Sequence, residues 1–165
     1  MNREIKFRAW DKENNKMWFM GEEGESIGKC TEFGIWTFQS YFNEKNCLEA
    51  IIIRSFCNGV GYEDKVIKLP IMQYTGLKDK NGKEIYEKDI VKVTINNKTF
   101  NAWIVFEMGS FMIANNDMSF YFEDNWNDNV KGLNELAWDQ EEFEDRIYCL
   151  ELIGDIYQNR DLVEI

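Results

Sequence analysis

The sequence predicts a mainly β chain with minor α: antiparallel hairpins, a small C-terminal barrel or roll, and one or two short helices. Three observations predict it. Short apolar runs alternate with polar residues at period two, and turn dipeptides or polar clusters punctuate them. The chain of 165 residues is 44% hydrophobic and 15% aromatic, enough to fill the core of one domain or two very small ones.

Taken in order, Ile5 to Trp10 alternates apolar and polar residues, Lys12 to Lys16 supplies a polar turn, and Met17 to Met20 returns, giving a first hairpin. Gly21 to Gly28 reads as a loop, and Phe33 to Phe38 as a strand by its aromatic and β-branched content. Glu44 to Cys57 is ambiguous. Leu48, Ile51, Ile52 and Ser55 fall at helical spacing behind Asn46 as an N-cap, whereas Ile51-Ile52-Ile53 suits a strand; the reading favours a short helix feeding a strand. The single proline, Pro70, marks a junction between an N-terminal β-rich part, residues 1–70, and a C-terminal part, residues 71–165. Beyond it, Gln73 to Val93 holds the clearest turn in the chain, Asn81-Gly82, suited to a two-residue type I′ connection with positive φ. A third hairpin follows, with arms Thr99 to Glu107 and Phe111 to Ala114 around Met108-Gly109-Ser110. With Asp89 to Ile95 before it and Ile147 to Tyr157 after it, so many short strands are buried most economically by a closed or nearly closed barrel. Leu133 to Phe143 has the pattern of a short amphipathic helix.

Charge is unevenly placed. Residues 1–98 hold 16 Lys/Arg against 15 Asp/Glu, whereas residues 99–165 hold 3 against 15, so the net charge of −11 belongs to the last third. An acidic surface repels phosphate backbones, which argues against direct nucleic-acid binding. No run of eighteen apolar residues and no charged-then-apolar leader is present, and the expectation is a cytoplasmic protein that does not enter a membrane. Cys30, Cys47, Cys57 and Cys149 form no Cys-x-x-Cys clip, and histidine is absent, so they read as reduced, mostly core thiols.

Without histidine, Ser-His, Cys-His and imidazole acid-base arrangements are excluded, and carboxylates or cysteine remain as reactive groups. Asp124, Asp128, Asp139, Glu141, Glu142, Glu144 and Asp145 could form a two-carboxylate pair or a magnesium site, but no spacing among them is diagnostic. A solvated acidic face is the simpler account. Gly76 and Gly82 serve turn geometry rather than phosphate cradling. Of the six tryptophans, Trp10, Trp18, Trp36 and Trp103 read as core; Trp126 and Trp138 lie among polar residues and are candidate anchors for a protein interface. The expectation is therefore no catalytic residue, no metal and no cofactor. The interaction candidates are Trp126, Trp138, Asp139, Glu141, Glu142, Glu144 and Asp145.

Three blocks carry a resemblance. Gln73 to Val91, QYTGLKDKNGKEIYEKDIV, resembles the signature of the YopX family of bacteriophage and prophage proteins; Arg3 to Met20 is similar to that family's opening and Glu151 to Ile165 to its ending. The resemblance implies a roll of the Src-homology-3 type and a phage- or prophage-encoded accessory protein in a bacterial host, without a settled biochemical role. Lys88 stands where the family commonly has glycine, which weakens the case for a tight positive-φ bend before Asp89. The function expected is a non-enzymatic protein-interaction or self-association module with a host or phage partner. The alternative is an acidic nucleic-acid mimic that occupies the basic groove of a host DNA-binding or defence protein.

Overall fold

The computed structural model describes residues 4–20, 23–27, 33–42, 48–57, 62–95, 97–116, 130–138 and 145–164. Two compact units divide the chain, Lys6–Gln73 and Tyr74–Ile165, the latter taking in Met1–Ile5.

In the first unit, β1 (Phe7–Asp11) and β2 (Lys16–Phe19) form the expected hairpin, with Asp11 opposite Lys16. Asp11 closes the turn: its Oδ1 accepts the Asn14 N–H at 3.1 Å and its Oδ2 the indole N–H of Trp18 at 3.3 Å. Strands β3 (Glu23–Ile27), β4 (Phe33–Phe42), β5 (Leu48–Cys57) and β6 (Tyr62–Leu69) follow as an antiparallel sheet in chain order. After Pro70, β7 (Ile71–Asp79) begins, and its Ile71–Gln73 pair with Ala9–Phe7 of β1. Ala9 and Trp18 meet Ala50 and Leu69 in this unit's core.

Two expectations change here. Gly21 to Gly28, read as a loop, contains β3, which is zipped to β4 from Glu23↔Thr37 to Ile27↔Phe33. Leu48 to Ser55, read as helical, is strand throughout. Every residue from Leu48 to Cys57 has a partner in β4 or β6, and pairing on both sides of a β-branched Ile51-Ile52-Ile53 outweighs an incidental helical spacing.

The second unit takes the rest of β7, then β8 (Glu84–Tyr86), β9 (Asp89–Ile95), β10 (Lys98–Glu107), β11 (Ser110–Ala114), β12 (Val130–Gly132), α1 (Leu133–Trp138), β13 (Arg146–Ile147) and β14 (Leu150–Asp155). Its main sheet runs β12-β11-β10-β9-β14, and β13 lies parallel to the end of β7. Among the described residues, the closed or nearly closed barrel expected of a Src-homology-3 type does not close: β12 and β14 end opposite sides of an open sheet. The β7–β8 hairpin covers the β14 side instead, because the Lys80 N–H donates to Leu150 O at 3.0 Å and the Leu152 N–H to Asp79 Oδ2 at 2.9 Å. An edge can be protected by cover as well as by closure. Of the helix expected over Leu133 to Phe143, α1 is the described part and residues 139–143 lie outside the described residues; Leu133, Leu136 and Ala137 bury at helical spacing. Leu133 and Leu136 join Ile85, Val91, Val93, Ile104, Ile113, Ile147 and Leu150 in one core.

The turns also differ from expectation. At Asn81-Gly82 only Gly82 takes positive φ, at 80°. The Gly82 N–H donates to Asp79 O at 2.9 Å and the Asp79 N–H to Lys83 O at 2.8 Å, the three-residue loop with a glycine bulge rather than a type I′ turn. Asp79 selects it by accepting the N–H groups of Asn81 and Lys83 at 2.8 and 2.9 Å. The two-residue turn with positive φ at both positions is Met108-Gly109, at 49° and 79°, between Glu107 and Ser110. Lys88 does make the bend before Asp89, at φ 65°. Its backbone is fixed on both sides, the N–H donating to Ile104 O at 2.8 Å and the carbonyl accepting the Ile156 N–H at 3.0 Å.

Candidate interaction site

The β10–β11 hairpin is longer than the strands beside it. Pairing to β9 reaches Trp103↔Ile90, and pairing to β12 spans Met112–Ala114. The last two rungs, Phe106↔Phe111 and Glu107↔Ser110, lie beyond both ladders and form a two-stranded finger. Its sequence departs from turn chemistry. A two-residue turn with positive φ at both positions favours Asn-Gly or Asp-Gly, yet Met108 occupies the first position, where a side chain with a Cβ is strained by about 1–2 kcal/mol.

That strained methionine is 79% exposed, the most open of the large hydrophobic side chains described. Phe106 is 51% exposed and leans edge-on against Phe111, ring centroids 5.0 Å apart, while Phe111 is buried in the core. The finger therefore presents an aromatic face and a flexible thioether to solvent on a base locked into the unit. Adaptable sulfur and a positioned ring are what protein contacts use as anchors. Neither residue was singled out by sequence reasoning, which weighed tryptophans and acids. A methionine in the place of Asn or Asp before a turn glycine was the available signal.

The residues that sequence reasoning did single out are placed differently. Trp126, Asp139, Glu141, Glu142 and Glu144 lie outside the described residues, and of Trp138 only the backbone, as the last residue of α1, is described. Asp145 is half-exposed and ion-paired with Lys78, whose hydrogen bond holds its carboxyl below the usual aspartate range. Glu151 pairs likewise with Lys80 at 2.7 Å, which lowers its carboxyl from the ordinary value. Two lysines of the hairpin 78–84 thus neutralise acids of the last third.

The buried acids are others. Asp11, Asp79, Asp89 and Asp155 are all buried, and each accepts main-chain N–H groups at a turn. Asp89 Oδ2 takes the Tyr86 N–H at 2.7 Å; Asp155 Oδ1 takes those of Tyr157 and Gln158 at 2.9 and 3.0 Å. For Asp79, burial pushes the carboxyl upward, but hydrogen bonds from the N–H groups of Leu152, Lys83 and Asn81 outweigh it and the net shift is downward. These carboxylates are engaged in holding turns. Among the described residues no cluster of three His, Cys, Asp or Glu side chains is set to hold a metal, and no helix is long and apolar enough to cross a membrane. Trp10 and Trp18 are buried as expected, and Cys149 is a half-buried thiol outside any disulfide.

Comparison with known proteins finds that the family model described as YopX protein matches residues 6–164. Among solved structures, the crystal structure of protein EF1440 from Enterococcus faecalis is similar in fold, at 20% identity and a TM-score of 0.53. The match covers 99% of this chain and 100% of that one. No curated protein matches.

Proposed function

We propose, starting from a chain that belongs to the YopX family, that it is a phage- or prophage-encoded accessory protein acting by contact with another protein rather than by turnover of a substrate. The finger at Phe106–Phe111 carries the contact. One observation supports this above all: a methionine held at φ 49° with 79% of its surface open to solvent. A strained, exposed apolar side chain at the tip of a protruding hairpin lowers stability and solubility, and such outliers gather where a surface is used.

Replacement of Met108 by Asn separates stability from contact. Asparagine tolerates positive φ, so Met108→Asn raises stability by about 0.5–1 kcal/mol in urea unfolding, while the anchor is lost. Phe106→Ser removes the neighbouring ring. Light scattering and cross-linking of the purified chain, alone and with host extract, report the association. The reading expects complexes of the unsubstituted chain that fall at least about tenfold with either substitution, the loss of one hot-spot side chain. Complexes equally abundant with both variants would sink it.

A further inference from the structure

The other end of the β10–β11 ladder holds a separate arrangement of three asparagines. Trp103 faces Ala114, and the same register continued two steps sets Asn101 opposite Asn116. Strand β11 stops at Ala114, and side-chain amides take over from main chain. Asn115 Nδ2 donates to Asn101 O at 2.7 Å, Asn101 Nδ2 to Leu162 O at 2.9 Å, and Asn116 Nδ2 to Glu164 O at 2.8 Å. Leu162 ends a short 3-10 turn, Arg160–Leu162, and Val163 between the two acceptors is extended, with φ −140° and ψ 147°. The two amides thus hold the carbonyls on either side of one extended residue.

We propose that Asn101 and Asn116 form a binding site for the main chain of an extended peptide, occupied in cis by residues 162–164 and open to an extended peptide of another molecule when that segment leaves. Both acceptors are main-chain carbonyls, so these bonds read backbone rather than side-chain identity. The resident segment is held lightly: Leu162 and Val163 are half-buried, Glu164 is exposed, and neutral amide-to-carbonyl bonds contribute modestly against water. What keeps the site filled is tethering, equivalent to an effective concentration of order mM. A free peptide competes poorly until the tethered segment is weakened. The site is independent of the finger, so the two readings fail separately.

The test uses the full chain and a fluorescein-labelled peptide with the sequence of residues 160–165. Val163→Pro loosens the resident segment without touching the asparagines, because proline pulls φ toward −65° and removes the N–H that bonds Arg160 O. Fluorescence anisotropy is expected to show the peptide binding Val163→Pro about tenfold more tightly than the unsubstituted chain, the released share of the cis competitor. Adding Asn101→Asp or Asn116→Asp, whose carboxylates accept but do not donate, abolishes that gain. Equal binding to the unsubstituted chain and Val163→Pro, or binding unchanged by both Asp substitutions, overturns the proposal. Carboxypeptidase trimming of the unsubstituted chain, read by intact mass, gives a second measurement if Val163→Pro does not fold. Peptide at several mM speeds trimming severalfold by displacing the segment; an unchanged rate overturns the proposal.

Discussion

At the scale of single residues, buried aspartate is the recurring device of this chain. Asp79 has no solvent exposure and binds the N–H groups of Asn81, Lys83 and Leu152, so it ties its own turn to strand β14. Asp79→Asn keeps the shape but replaces one acceptor by a donor, and should destabilise the second unit by about 2–3 kcal/mol, measured by urea unfolding. The pH dependence has a definite sign. Because the folded carboxyl lies below its ordinary value, its stabilisation is complete above the unfolded pKa of about 3.9 and is lost as pH falls through that value toward the folded one. The urea midpoint should therefore drop on the acid side of about pH 4, and less steeply in Asp79→Asn. Sequence reading did not single out Asp79. Burial of a carboxylate depends on donors far along the chain, here Leu152, which local pattern does not display. Lys88 makes the same point in reverse: its bend persists without glycine because Ile104 and Ile156 hold its backbone.

At the scale of elements, hairpins were the most legible feature. Phe7–Phe19, Ile71–Tyr86 and Lys98–Ala114 all contain paired arms where alternation and turn residues placed them. What local reading missed were elements whose state is decided by a neighbour: β3, rich in glutamate and glycine, is a strand because β4 lies beside it, and β5 because β4 and β6 flank it. Turn type was equally hidden, since a carboxylate selects it at Asn81-Gly82 and pairing imposes it on Met108-Gly109. Strand β14 carries a further constraint. Its register shifts between Leu152 and Gly154, and a Cβ on Gly154 would lie 2.3 Å from Asn159 Oδ1, the atom that accepts the Asp155 N–H. Gly154→Ala should cost about 1–3 kcal/mol in thermal or urea unfolding, through displacement of Asn159 and the loop after β14.

At the scale of the whole molecule, the β class was readable from composition and periodicity, whereas closure was not. Counting strands implies how much edge must be hidden, not whether a barrel or a covering hairpin hides it. Two units with separate cores also predict separable responses. Trp18→Ala should lower the stability of the unit Lys6–Gln73 and Ile104→Ala that of the unit from Tyr74 onward, each by about 2–5 kcal/mol, with hydrogen exchange reporting protection lost in one core at a time. The bond from Leu152 to Asp79 spans 73 positions, and the parallel rung beside it joins Lys78 to Arg146. On a ribosome adding ~5–20 residues each second, the Asp79 carboxylate waits roughly 4–15 s for its last donor. During synthesis the turn at Asp79 is thus left half-finished, exposed to chaperones and proteases until Leu152 has been made and folded back.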